Sequence, residues 1–188
     1  WHTGAEAAPH LPPNVWPDEI PGFGSAMTAL YDELLSVGQQ LMRALERFLQ
    51  VPRHCLSNML VGGNTVLRAI HYPAPLVGSK QTGELWAAPH EDINLMTLLI
   101  EASGAGLEIK NKDGQWLPVQ CDPTEIIVDT GDMMQQLTNG LLPAVTHRVV
   151  APDHCRESRY SMPFFIHPAP DTSLKPFISP KIPRAEGQ

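Results

Sequence analysis

The sequence predicts a mainly β protein with a helical brace: a double-stranded β-helix, or jelly roll, preceded by one long N-terminal helix. Two observations carry that prediction. Between Ser25 and Gln50 the apolar positions Leu30, Leu34, Val37, Leu41, Leu45 and Phe48 step by three or four, as one face of an amphipathic helix does. After Gly63 the pattern changes, and eight short apolar or β-branched runs follow with turn residues between them, which suits two packed sheets enclosing a pocket.

In chain order, residues 1–24 are rich in Pro and Gly and form an extended lead-in to a single domain over residues 25–188. Ser25 is placed to cap the long helix and Pro52 to end it. At about 1.5 Å per residue the helix is long enough to brace one side of a domain. A second, short helix is expected over Arg53–Val61, closed by Gly62 and Gly63. The strand runs are Thr65–Tyr72, Leu85–Pro89, Ile93–Ile100, Leu107–Lys110, Gln115–Val119, Glu125–Asp129, Ala144–Ala151 and Arg159–His167. Asp113-Gly114 marks a hairpin between two of them. Gly131-Asp132 and Asn139-Gly140 read as a turn into a short helix and its glycine stop. The proline-rich tail from Pro168 is expected to be irregular and to lie on the outside.

Composition narrows the function classes. A chain of 188 residues, 43% hydrophobic and 18% charged, suffices for one well-packed domain and does not demand two. Its net charge is −7, and no basic run would track a phosphate backbone, so nucleic acid is not an expected partner. No stretch reaches the roughly twenty apolar residues of a membrane span, and the start lacks a secretory pattern. Cys55, Cys121 and Cys155 form no C-x-x-C pair, which points to a reduced, cytoplasmic setting with no disulfide framework.

The chemistry concentrates in a few polar residues. His90 and Asp92 in APHEDINLMTLL, with His147 in LLPAVTHRVV, offer two imidazoles and a carboxylate, a set that can hold one face of an octahedral ion and leave the other open to a co-substrate and O2. In an extended strand His90 and Asp92 would share a side and Glu91 would face away. Taken by themselves, the three are also read as a surface histidine, a core histidine and a chance carboxylate. Arg159 and Ser161 share a strand face with Phe165, and an inward guanidinium calls for an anion, either one of the protein's own carboxylates or a ligand's. Arg148 alternates away from His147. Trp86 has the strand parity of His90 and belongs either to the core or to the mouth of the pocket. His2, His10, His54, His71, His154 and His167 show no partner pattern.

From Asn14 to Pro180 the chain resembles the isopenicillin N synthase-like family of Fe(II)- and 2-oxoglutarate-dependent oxygenases. The resemblance rests on NVWP and PGF (Asn14–Pro17, Pro21–Phe23), LRAIHYP (Leu67–Pro73), HED (His90–Asp92), TGDMMQQLTNG (Thr130–Gly140), THRV (Thr146–Val149) and RYSMPFF (Arg159–Phe165), in the family's order and at its intervals. It implies that His90, Asp92 and His147 hold Fe(II), and that Arg159 and Ser161, joined by Tyr72, clamp the distal carboxylate of 2-oxoglutarate. Where the plant branch usually has Asn two positions before that tyrosine, this chain has Ile70. The implied activity is oxidation of a small molecule with O2 and release of succinate and CO2, by hydroxylation or desaturation. Two other readings stand beside it: an Fe(II) oxidase like isopenicillin N synthase or aminocyclopropane carboxylate oxidase that uses no 2-oxoglutarate, and a non-catalytic jelly-roll binding module. Family members usually carry a further N-terminal segment before the point where this sequence begins, so the resemblance leads us to expect one here, and with it closure of the pocket.

Overall fold

The computed structural model describes residues 13–75, 84–100, 102–122, 124–153 and 155–184. Residues 1–12 of the lead-in, 185–188 of the tail, and His2, His10 and His154 lie outside the described residues. Helix α1 (Phe23–Leu49) begins two residues before the predicted start, because Gly22 at φ 82° turns the chain into it. Ser25 therefore does not cap the helix; it lies in the first turn, and its hydroxyl donates to the Gly22 carbonyl at 2.9 Å. The helix stops ahead of Pro52, where Gln50 takes the left-handed conformation.

The face α1 buries also differs from the apolar stripe read in the sequence. Met27, Tyr31, Leu34, Gly38, Met42, Glu46 and Leu49 are buried, whereas Phe48 is 55% exposed. A count of apolar residues misses a stripe containing a glycine and a glutamate. Gly38 allows close approach, since a Cβ there would sit 2.5 Å from Ile166 Cδ1. Glu46 organises the chain that follows. Its carboxylate accepts the backbone N–H groups of His54 (2.8 Å), Leu56 (3.0 Å) and Ser57 (2.8 Å), and the Ser57 hydroxyl at 3.1 Å. With His54 at φ 67°, the predicted second helix becomes a turn followed by a short 3-10 helix, Ser57–Leu60.

Ten strands follow where eight runs were expected, because two of the runs break. The first gives β1 (Val66–Leu67) and β2 (Ile70–Tyr72), and the last gives β9 (Arg159–Ser161) and β10 (Pro163–Ile166). Between them lie β3 (Leu85–His90), β4 (Met96–Leu99), β5 (Leu107–Lys110), β6 (Trp116–Pro118), β7 (Ile127–Thr130) and β8 (His147–Val150). They assemble into one sheet ordered β1-β10-β4-β7, a second ordered β3-β8-β5-β6, and a β2-β9 ribbon, all with antiparallel pairing. The Asp113-Gly114 turn closes the β5–β6 hairpin with Gly114 at φ 79°. A short helix α2 (Asp132–Leu137) follows Gly131 as expected, and Asn139 and Gly140 end it with positive φ.

This is the predicted jelly-roll arrangement with its helical brace. One face of the first sheet, including Met96, Leu98, Phe164 and Ile166, is buried in the same core as α1, and Tyr31 meets Phe164 edge to face at 5.1 Å. The opposite face looks across a cavity of about 340 Å³, lined by Leu99 and Ile127 from this sheet and by Leu107 from the other. The tail is irregular, yet it is not confined to the outside. Ile182 enters the core, Phe177 N–H donates to Leu137 O at 2.9 Å, and the Ser179 hydroxyl donates to Leu49 O. The three cysteines are free and half-buried, and no helix among the described residues is long and apolar enough to cross a membrane.

Burial works to raise the Glu46 pKa, and the hydrogen bonds from Ser57, His54 and Leu56 outweigh it, leaving the group below its ordinary 4.5. A lowered folded-state pKa means that the contribution is present above that ordinary value and lost as pH falls through the folded-state value. Replacing Glu46 with Gln is expected to cost roughly 3 kcal/mol in urea unfolding at neutral pH, since buried donors lose a charged acceptor. The gap between wild type and Glu46→Gln should close as the pH is lowered below 4.5.

Candidate metal centre

His90 ends β3 and His147 begins β8, and the antiparallel register makes them direct partners. Irregularities at Leu85/Ala87 and Ala87/His90 shift the register along β3 so that it arrives at this pairing. The two rings lie 4.3 Å apart, tilted by 53°. Each ring is held by its own strand: His90 Nδ1 is 2.8 Å from Ala88 O and His147 Nδ1 is 3.0 Å from Val145 O. A carbonyl only accepts, so each Nδ1 carries a proton, and Nε2 is the nitrogen that each ring turns toward the site, with a lone pair whenever the ring is neutral.

Both lone pairs face Asp92. Its Oδ1 is 3.8 Å from His90 Nε2 and 4.0 Å from His147 Nε2, and one ligand atom from each of the three residues lies within 4.8 Å of the other two. Asp92 does not continue the strand, as the H-x-D spacing suggested; it stands in the loop between β3 and β4. Its second oxygen is tied back, accepting the Thr97 hydroxyl at 2.5 Å, and Thr97 Oγ1 in turn accepts Asn94 Nδ2 at 2.7 Å. The carboxylate thereby offers one oxygen to the site.

The loop that carries Asp92 is clamped by the start of α2. Asp132 N–H donates to Asp92 O at 2.8 Å and Met133 N–H to Asn94 O at 3.2 Å. Gly131 is pressed against the same loop, where a Cβ would stand 2.4 Å from Asp92 O and 2.5 Å from Asn94 Oδ1. Glu91 faces away from the site as expected, and its Oε1 accepts the Thr146 hydroxyl at 2.6 Å, tying together the residues next to the two histidines. Arg148 points outward, pairs with Glu108 at 2.7 Å and covers the Trp116 ring at 4.2 Å. Trp86 is half-buried, with its indole N–H on Pro73 O at 2.9 Å and its ring 5.8 Å from Tyr72.

Arg159 is 3% exposed and lines the cavity between the sheets. Its Nε donates to Gly104 O at 3.0 Å, its guanidinium lies 5.2 Å from the centre of the Tyr72 ring, and Nη1 is buried with no hydrogen-bond partner. Burial pushes its pKa down, while Tyr72 works in the opposite direction. Tyr72 pairs directly with Arg159 across the β2-β9 ribbon, as Ile70 does with Ser161. Ser161 is buried too, but it borders a separate open depression with Ile70, His71 and Tyr160. Phe165 shares the inner face with Thr97, its partner in register.

Three residues of this site escaped the sequence reading. Asn94 and Thr97 lie inside the run that follows HED, where they pass for strand polar residues. Asp129 pairs in register with Thr97, which places its side chain on the face from which the Thr97 hydroxyl reaches Asp92. Burial first and the Asp92 carboxylate second push Asp129 up to about 7, with His90 pulling the other way. A carboxylate within the apolar run IIVDT was the one available signal.

Comparison with known proteins agrees with this geometry: residues 63–168 match the 2OG-Fe(II) oxygenase superfamily. The chain belongs to that superfamily. It is 34% identical over 174 residues to the proline hydroxylase buaE of Petromyces alliaceus, covering 88% of this chain and 54% of that protein. A protein assigned to the 2OG-Fe(II) oxygenase family from Caulobacter crescentus superposes with a TM-score of 0.81 at 37% identity, over 95% of this chain and 59% of that one. A full-length Neurospora crassa protein solved with alpha-KG gives a TM-score of 0.85 at 28% identity, over 98% of this chain and 58% of that one. The chain spans about half the length of the curated relatives it matches.

For this member of the superfamily the donor set fits a divalent ion: two imidazole nitrogens and one carboxylate oxygen converge, with the remaining positions open. Outer hydrogen bonds that orient ligands typically govern affinity by about 10–100-fold. Thr97→Val, which keeps the shape and removes the hydroxyl, should therefore weaken Fe(II) binding by roughly that factor in an anaerobic titration while the protein stays folded. Gly131→Ala should weaken it as well, through displacement of the Asp92 loop.

Proposed function

We propose that the protein is a non-haem Fe(II)- and 2-oxoglutarate-dependent dioxygenase that oxidises a small-molecule substrate, with His90, Asp92 and His147 as metal ligands and Arg159, Ser161 and Tyr72 as the co-substrate clamp. The observation that carries this reading is the convergence of three ligand atoms within 4.8 Å, with both histidines held in the tautomer that leaves Nε2 free. Membership of the superfamily supports the same chemistry.

When bound, iron and 2-oxoglutarate supply the reaction with O2, in which the co-substrate is decarboxylated to succinate and CO2 and the substrate is hydroxylated or desaturated. The chain's own residues bind and orient. His90 and His147 present lone pairs from adjacent strands, and Asp92 presents one oxygen because Thr97 holds the other. Arg159 offers a buried, unpartnered Nη1 to a carboxylate, and Tyr72 flanks the guanidinium. A guanidinium this deeply buried is stabilised when an anion meets it, and its planar fork suits a carboxylate. Leu99, Leu107 and Ile127 form an apolar wall of the cavity beside it.

His147→Ala should abolish stoichiometric Fe(II) binding, read by anaerobic titration; undiminished affinity would show that the ligands lie elsewhere. Arg159→Ala should weaken 2-oxoglutarate binding by roughly ten- to a hundred-fold, the worth of one charge-assisted contact. The readout is the weak visible charge-transfer band that appears when 2-oxoglutarate is added to the Fe(II) protein. A wild-type chain that binds Fe(II) and gives no such band would favour an Fe(II) oxidase that works without 2-oxoglutarate.

A further inference from the structure

The carboxylate of Asp129 has no role in the site as described so far. It stands on the inner face of β7, directly across from Thr97, whose hydroxyl is bonded to the metal-facing Asp92. Its neighbours Val128 and Thr130 point the other way; Val128 is exposed, and the Thr130 hydroxyl donates to Pro143 O at 2.7 Å. No hydrogen-bond donor meets the Asp129 side chain among the described residues. Nor is it part of the group of ligand atoms formed by His90, Asp92 and His147. Ile127, two residues back on the same face, lines the cavity that holds Arg159. The inner face of β7 thus runs from the Arg159 end of the barrel to the metal end, a step of roughly 7 Å, and Asp129 marks the metal end.

We propose that Asp129 is a specificity-determining residue that selects substrates bearing a cationic group, such as an ammonium, and seats that group beside the metal. The inference rests on the iron and 2-oxoglutarate reading above. In the loaded site the formal charges of Fe(II), Asp92, dianionic 2-oxoglutarate and Arg159 would cancel, so Asp129, when ionised, would give the inner wall a net negative charge. A half-buried carboxylate that no protein donor meets keeps only part of its hydration, so a cation or a donor that reaches it is favoured. Among the described residues no lysine or arginine pairs with it, and the Arg159 guanidinium stands at the other end of the inner face of β7. An ammonium would remove the penalty, a neutral group of the same shape would leave it in place, and a carboxylate would add repulsion.

The test uses the full chain loaded with Co(II), whose paramagnetism marks ligands bound near the metal, together with 2-oxoglutarate. Small compounds are supplied in matched trios, an ammonium, an alcohol and a carboxylate on one skeleton, and their affinities are read by NMR titration. In wild type the ammonium member of the binding trios should be tighter by roughly ten-fold or more. Asp129→Asn should erase that preference with metal affinity unchanged, and Asp129→Glu should retain part of it. Equal binding across the trios, no ammonium compound bound near the metal, or a preference that survives in Asp129→Asn would overturn the inference. So would collapse of Co(II) affinity in Asp129→Asn, which would make Asp129 a metal ligand. A wild-type chain that takes up no metal sinks the iron reading itself, and is told apart by the metal titration alone.

Discussion

A carboxylate removed from water has to be met by a cation or by enough donors to replace its hydration, and Asp92 is about nine-tenths buried while Thr97 supplies it with a single hydroxyl. Much of the surrounding architecture serves that group. The α2 N–H groups fix the backbone of its loop, Gly131 makes room for the loop to lie close, and Asn94 holds the hydroxyl that holds the carboxylate. The remaining oxygen faces two imidazole lone pairs. Two lone pairs and a carboxylate oxygen do not satisfy one another, so the arrangement is complete only with a positive ion between them.

Sheet pairing does the rest of the positioning. His90 and His147 are 57 residues apart in the chain and become neighbours through one register between β3 and β8. A slip of one residue would turn either ring to the other face, so the hydrophobic pattern that fixes the register also fixes the metal geometry. Tyr72 and Arg159 meet by the same device on the β2-β9 ribbon. Helix α1 lies on the far side of the first sheet, where Gly38 lets it approach closely and Glu46 shapes the chain that leads into the strands.

The parts of this structure that were legible in the sequence are those with a period or an ordered set of motifs. The long helix, most of the strand runs, the Asp113-Gly114 hairpin and the convergence of His90, Asp92 and His147 were readable in that way. The rest depended on contacts between distant segments. The second helix failed because a glutamate in α1 claims the backbone donors that a helix would have used, and no local pattern reports that. The breaks that turned eight runs into ten strands fall at Arg68–Ala69 and Met162, inside stretches of continuous strand propensity. Asn94 and Thr97 were invisible, and Asp129 nearly so, for a related reason: a polar residue in or beside a strand acquires its meaning only from what lies opposite.

The two histidines differ sharply in their surroundings. The His147 side chain is 13% exposed and Asp92 9%, while His90 is 47% exposed. Among the described residues, an ion held by the three would therefore be walled on two flanks and bare on the third. The His90 flank is thus an open approach to the ion. Whatever comes in past the imidazole of His90, be it oxygen, a substrate or a scavenging chelator, uses the flank by which the ion can leave, so narrowing that flank slows admission and leakage together there.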